Sequence, residues 1–264
     1  MIIGAVLLVM IGGADLLRSQ TALSGRAGIA SVIVFWSATL ILAVTGLGVP
    51  LWWAVIPTVL SIGWVLSTST NPAVRSPGRI APAIGVLLAE LAAIAADRAV
   101  PVPSGYLVDW HEASVASPVP LVAVVMGVGC ALFLIESANV IVRAALRPTV
   151  VESAEVAVAV AAPARSPRWW SKAVEAEPTA ARLPDLRGGR LIGPLERLLI
   201  VALTLGGALP IVAGLLAAKG IVRFPEISND AARGSKAEYF LVGSLVSWAV
   251  AIAAVGVIWI SAHS

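Results

Sequence analysis

The chain of 264 residues is 59% hydrophobic and only 12% charged, proportions that exclude an ordinary soluble globular domain. They indicate an all-α, polytopic bundle of membrane helices. The net charge of +3 does not indicate nucleic acid, because the basic residues are spread along the chain without interleaved stacking aromatics. Attraction to anionic lipid headgroups explains them. With Cys130 as the single cysteine, no intrachain disulfide can form.

Hydrophobic runs long enough to cross a bilayer, or nearly so, recur along the whole chain. The first run has no basic residue before it and no small-x-small cleavage signal after it, so we expect a retained helix and not a signal peptide. In chain order we predict about eight transmembrane helices, at residues 1–17, 27–47, 51–69, 80–97, 119–143, 190–206, 208–224 and 237–260.

Basic residues lie in alternate connections between these helices, which predicts an orientation. The other connections carry almost no positive charge, apart from Arg98 beside Asp97. Because basic connections stay in the cytoplasm, we predict that both termini lie outside. The excess of Arg over Lys is typical of a GC-rich bacterial genome such as that of an actinobacterium, so the expected location is a bacterial inner membrane. The basic connections contain Arg18 and Arg26, Arg75 and Arg79, Arg147 to Arg190, and Arg233 and Lys236.

The predicted helices form a five-helix part at 1–146 and a three-helix module at 190–264. Between them, residues 147–189 are a Pro-rich cytoplasmic linker. Within the linker, Trp169 and Trp170 stand beside basic residues, a combination that suits the headgroup layer. We predict a short interfacial segment there, with a disordered linker as the alternative.

The outer connection contains a run of polar residues from Asp109 to Glu112 that could be mistaken for a metal site. Zinc needs three or four converging ligands. Apart from His111, the sole histidine is His263 at the C-terminus. We therefore expect no metal and no other cofactor.

Gly206 and Gly207 separate two apolar runs and favour a tight helical hairpin. The alternative is one kinked helix over residues 190–224, which would extend about 52 Å, too long for a single crossing.

Ionisable residues inside membrane helices are the best candidates for a site, since each costs about 3 kcal/mol near the bilayer centre. The predicted orientation places one set in the cytoplasmic third of the membrane and leaves Glu90 alone at depth. That set contains Asp15, Glu136, Asn139, Arg143, Glu196, Arg197, Lys219, Arg223 and Glu238.

Glu196 and Lys219 lie at nearly equal depth on either side of the Gly-Gly turn, so we predict an ion pair between them. Arg197 points about 100° away from Glu196 and is expected to reach another helix or the lipid phosphates.

Two interpretations of this charged set stay open. In one, its positive charge surrounds a recess that binds an anionic headgroup or solute. In the other, its members neutralise one another and fix helix packing, through the pairs Glu196–Lys219, Glu238–Arg223 and Glu136–Arg143. Glu90 has its own alternatives, a proton or cation site or a protonated, hydrogen-bonded side chain.

Three segments of the C-terminal part carry a family resemblance: Leu191 to Ile200 (LIGPLERLLI), Ala217 to Phe224 (AAKGIVRF) and Ala237 to Ser247 (AEYFLVGSLVS). Over residues 190–250 they resemble the C-terminal signature of an uncharacterised bacterial membrane protein family, domain of unknown function 3307. The match includes Tyr239 beside Glu238. The resemblance implies a shared three-helix module whose charged residues act as a unit, and it implies no reaction.

The sequence contains no phosphate loop, no Ser/His/Asp set and no HExxH motif. Our leading hypothesis is a membrane binding or accessory protein whose charged set holds an anionic lipid headgroup or docks a partner subunit, with a homo-oligomer as one form of such a partner. The second is a small transporter or channel that uses Glu90 and Glu136. The third is an enzyme that acts on a lipid-linked substrate.

Overall fold

The computed structural model describes residues 1–20, 26–70, 80–114, 119–146, 189–228 and 235–264. Within these ranges the regular elements are all helical. α2 and α6 continue into π-helical turns, Leu42–Gly46 and Phe133–Ser137, and the helix after the second turn runs to Leu146. The helices in chain order are α1 (Ile2–Ser19), α2 (Arg26–Ile41), α3 (Leu51–Ser67), α4 (Ala81–Ala95), α5 (Tyr106–Ser114), α6 (Leu121–Leu132), α7 (Gly189–Leu205), α8 (Leu209–Ser228) and α9 (Ser235–His263).

Within the described ranges, four helical stretches are long and apolar enough to cross a membrane, namely Ile2–Ser19, Arg26–Gly46, Leu121–Leu146 and Ala237–His263. The predicted all-α class is therefore confirmed, and each predicted span coincides with a helix. α5 is an additional short helix in the predicted outer connection. Shorter apolar helices are Leu51–Ser67, Ala81–Ala95 and Leu209–Val222.

Proline and glycine set several of the helix ends. Pro50 and Pro120 lie directly before α3 and α6 in an extended conformation, and Pro82 lies in the first turn of α4, where its missing N–H has no helical partner to lose. Gly207 follows α7 with a φ of 73°, a conformation that favours glycine. The predicted α7–α8 hairpin is thus confirmed, and the alternative of one long helix is wrong.

α1 is the centre of the packing. It contacts α2, α3, α4 and α6, and it is buried almost continuously from Ile2 to Asp15. A helix that is apolar all round suits such a central position. Glycines allow close contact with α6, because a Cβ on Gly12 would lie 2.5 Å from the main-chain nitrogen of Phe133. The three-helix module packs against α6 through α7 and α9.

The outward faces of the peripheral helices are apolar. Leu66 of α3 is 82% exposed, and large apolar side chains also lie open on α2 and α8. Contiguous apolar surface of this kind is unusual on a soluble protein and is normal where helices face lipid. Examples are Val34, Leu51, Ile221 and Val222.

Candidate functional site

The predicted ion pair across the α7–α8 hairpin is confirmed. Lys219 Nζ lies 2.8 Å from Oε1 and 2.6 Å from Oε2 of Glu196. Trp248 of α9 donates its indole N–H to Glu196 Oε1 at 2.9 Å, and its ring centroid lies 5.7 Å from Lys219 Nζ. The Glu196 carboxylate is buried and connects α7, α8 and α9, whereas Lys219 is partly exposed.

Arg197 reaches two neighbouring helices through all three of its nitrogen atoms. Nε donates to the carbonyl oxygen of Leu134 at 2.9 Å, and Nη2 donates to Asn139 Oδ1 at 2.6 Å. Nη1 donates to Ser247 Oγ at 3.4 Å. Arg197 is 2% exposed, so of the two predicted destinations the neighbouring helix is confirmed and the lipid phosphate is wrong.

The π-helical turn of α6 provides the Leu134 carbonyl oxygen for this arrangement. Asn139, one turn further on, donates to the Ile135 carbonyl at 3.0 Å and to Glu136 Oε2 at 3.5 Å. The widened turn buries Glu136 and Ser137 together. Turns of this type are frequent at functional sites. We call the set Glu136, Asn139, Glu196, Arg197, Lys219, Ser247 and Trp248 the Glu196 cluster.

A second polar cluster surrounds Asp15 of α1, a member of the predicted charged set for which the sequence predicted no partner. Asp15 is fully buried. Its Oδ2 accepts hydrogen bonds from Trp64 Nε1 at 2.8 Å and from Ser137 Oγ at 2.6 Å. Its Oδ1 accepts one from Arg18 Nη2 at 2.5 Å. Because Ser137 belongs to the π turn, α1, α3 and α6 meet at this carboxylate.

Arg18 also closes the C-terminal end of α3. Nη1 donates to the carbonyl oxygens of Val65 at 2.8 Å and Thr68 at 3.3 Å. A cation at this end of a helix satisfies its last carbonyls and opposes its dipole. The spacing of Asp15 and Arg18 at i and i+3 was visible in the sequence, but their partners on α3 and α6 were not.

The remaining members of the predicted charged set are dispersed. Glu238 and Tyr239 are exposed at the start of α9. Arg143 Nη2 donates to the carbonyl oxygen of Thr70 at 3.5 Å, and a pairing of Arg143 with Glu136 stays a prediction.

Two predictions lie outside what the structure describes. The side chain of Arg223 is not among the described ones, so its pairing with Glu238 is untested. The predicted interfacial segment at Trp169 and Trp170 also lies outside the described residues.

The polar run of the outer connection lies on α5. There, His111 Nε2 is 3.0 Å from the carbonyl oxygen of Val119. Over the described ranges, no three His, Cys, Asp or Glu side chains come close enough together to hold a metal ion.

Glu90 of α4 differs from the carboxylates of both clusters. It is 5% exposed, and within the described part of the chain neither of its carboxyl oxygens has a hydrogen-bond partner. It packs against Gly4 of α1, where a Cβ would overlap Glu90 Oε2. Cys130 of α6 and the Met1 nitrogen interact electrostatically with Glu90. The sequence left two alternatives for Glu90, a proton or cation site and a protonated, hydrogen-bonded side chain. The described contacts do not include the hydrogen bonds that the second alternative requires.

A half-open apolar cavity of ≈ 370 Å³ lies between α1, α3 and α4, next to Glu90. Gly4 lines the cavity and also contacts the Glu90 carboxyl group, which is not itself part of the lining. The other walls are mostly small or apolar side chains, among them Trp53, Gly85 and Ala89. We call it the Gly4 cavity.

Comparison of the chain with models of known protein families, with curated proteins and with solved structures finds no match.

Proposed function

We propose that this chain is a multi-pass protein of a bacterial inner membrane that moves a proton or small cation across the bilayer by way of Glu90. We also propose that about eight helices cross the membrane and that both termini lie outside. The observation that carries it is the buried carboxyl group of Glu90, whose two oxygens lack a partner in the described structure. An ionisable group without a partner inside a membrane bundle is expensive, and such groups mark proton and ion pathways.

The Glu196 cluster gives less support to the headgroup hypothesis. The donor atoms of Arg197 and Lys219 point to protein acceptors, and Arg197 is buried. A headgroup would have to displace these hydrogen bonds before it gained any of its own. The cluster therefore favours the structural interpretation, in which paired charges hold α6 to α9 together. No contact in the described residues favours a docked partner subunit or a lipid-linked substrate.

The arrangement along α1 also supports a transport function. Gly4, which contacts Glu90, and Asp15 are separated by eleven residues, or about 17 Å of helix. Ser137 of the π turn donates to Asp15, and Glu136 precedes Ser137 in that turn. Polar groups thus occur near both ends of the central helix, and the groups between them are apolar. Movement of an ion past this apolar stretch would need water or a change in packing. We expect Glu90 to bind the proton or cation at its end of the stretch.

Proton flux tests this proposal. The purified chain is reconstituted into vesicles that contain a pH-sensitive dye, and a potassium gradient with valinomycin drives protons inward. We expect Glu90→Gln to reduce the flux to the leak of protein-free vesicles, because an amide keeps the shape of the side chain but cannot exchange a proton.

The matched control is Glu112→Gln, which removes an exposed carboxylate on α5 and should leave the flux unchanged. A Glu90→Gln protein with full flux would exclude Glu90 as the coupling group. A wild-type flux equal to the leak would refute proton transport itself.

A further inference from the structure

We propose that the Gly4 cavity binds a lipophilic organic cation whose positive charge is held by Glu90. This inference rests on the proposed transport function and names the class of its substrate. It follows from the size and walls of the cavity and from the charge that stands directly behind one wall.

The cavity suits a small apolar body. Its volume of ≈ 370 Å³ falls in the range of small-molecule sites, roughly 300–1,000 Å³. Leu7, Ile56 and Leu60 contribute apolar walls, and small residues along α4 leave the space open. Trp53 adds an aromatic ring, and aromatic faces attract organic cations. These walls select for a ligand with a large apolar surface.

Glu90 supplies the complementary charge. Its carboxyl group contacts Gly4, and Gly4 itself lines the cavity, so a single glycine separates the two. Opposite charges interact strongly across such a short distance when little water intervenes. Within the described residues neither oxygen of this carboxyl group has a hydrogen-bond partner. A bound cation would add a positive charge that stabilises the ionised carboxylate, whereas a neutral ligand would not.

Cation and proton therefore compete for one carboxyl group. When the cation binds, Glu90 releases its proton, and the affinity for the cation falls as the pH falls. Other titratable groups face Glu90 from the elements around it: the Met1 nitrogen before α1, which contacts Asp97 after α4, and the Cys130 thiol of α6. A pH dependence can be assigned to Glu90 only if it disappears with Glu90→Gln.

The test uses the full chain in detergent and two probes of equal shape. The first is tritiated para-tert-butylphenyltrimethylammonium, a lipophilic cation. The second is para-di-tert-butylbenzene, in which a carbon replaces the charged nitrogen. We expect saturable binding of the cation that weakens about tenfold per pH unit where Glu90 is protonated. We expect no displacement by the neutral probe and no binding to Glu90→Gln.

A second variant keeps the test valid if Glu90→Gln fails to fold. Gly85 lines the cavity, and a Cβ there meets open space, so Gly85→Leu should fill the cavity without a clash at its first atom. We expect it to abolish cation binding. Gly63→Leu, at an equally open glycine of α3 that does not line the cavity, should bind as the wild type does.

Three results would overturn the inference: binding of the cation to Glu90→Gln, displacement by the neutral probe, or undiminished binding to Gly85→Leu. Its failure is distinguishable from failure of the proposed function. Proton flux that depends on Glu90 without any cation binding would reject the substrate and keep the transport proposal. Cation binding that needs Glu90, in a protein without proton flux, would keep the cation site and reject the transport proposal.

Discussion

At the scale of single residues, Asp15 and Glu196 have similar surroundings in different parts of the bundle. Each is a buried carboxylate that accepts a hydrogen bond from a tryptophan indole, Trp64 or Trp248, and from a basic side chain. In each case the basic partner is the more exposed member of the pair, at 19% for Arg18 and 26% for Lys219. Both carboxylates therefore have donors for their oxygens. Among the residues that the structure describes, Glu90 accepts a hydrogen bond neither from an indole nor from a basic side chain, and this distinguishes it as a functional candidate.

The Asp15 cluster predicts a large loss of stability in Asp15→Asn. The change removes the negative charge beside Arg18 and places an amide donor among the donors of Trp64 and Ser137. Breaking a buried ion pair from one side costs about 3–5 kcal/mol, and the partial exposure of Arg18 favours the lower figure, about 3 kcal/mol. Unfolding by titration with SDS in mixed micelles measures this difference.

The control for Asp15→Asn is Glu112→Gln on α5, an exposed position where the same loss of charge should change stability by less than about 0.5 kcal/mol. Equal stability of the two variants would show that the Asp15 contacts contribute nothing to the fold.

At the scale of elements, the contact between α1 and α6 brings the two clusters together. The π turn Phe133–Ser137 lies against α1, so that Ser137 points to Asp15 while the carbonyl oxygen of Leu134 faces Arg197 on α7. The close packing that the structure shows around Gly12 could not be predicted from the sequence, because contact between helices depends on tertiary arrangement and not on the spacing of small residues alone.

Gly12→Ala should disturb this contact. A Cβ at position 12 would lie 2.5 Å from the nitrogen of Phe133 and 2.6 Å from the carbonyl carbon of Leu132, and main-chain atoms cannot move aside singly. We expect the helices to separate at a cost of about 2 kcal/mol, as for other overpacked cores. The same SDS titration measures it.

Gly63→Ala is the matched control for Gly12→Ala, since a Cβ on Gly63 meets no atom within 4 Å. There the higher helix propensity of alanine should stabilise the protein by about 0.5–1 kcal/mol. If both variants gain stability, α1 and α6 do not pack as closely as described.

At the scale of the whole molecule, hydropathy predicted the positions of the helices well, because a helix in lipid needs one continuous apolar run whatever its neighbours are. Equal depth on two sides of a tight turn predicted the pair of Glu196 and Lys219. The bond between Ser137 and Asp15 joins residues 122 positions apart, and nothing local in the sequence marks it. Nor does local sequence show that Glu90 would lack a partner, since that depends on every helix around it.

The number of crossings is the remaining property at this scale, and two topologies place the termini on the same side. If only the four longest apolar stretches cross, or if about eight helices cross, both termini lie outside and the linker at 147–189 lies inside. The two topologies differ at the α3–α4 connection and at the α7–α8 hairpin. Eight crossings place the first inside and the second outside, whereas four crossings reverse both.

Single cysteines at these two places therefore decide between the topologies. In a Cys130→Ala background, which removes the buried native thiol, we expect a membrane-impermeant maleimide to label Leu209→Cys in intact cells, because Leu209 is exposed beside the hairpin turn. Ser76→Cys, in the connection that carries Arg75 and Arg79, should react only after the membrane is opened. The reverse pattern would mean four crossings. It would also mean that α4, which carries Glu90, does not cross the bilayer. The high free energy of a carboxyl group inside the membrane, on which the transport proposal rests, would then no longer apply to Glu90.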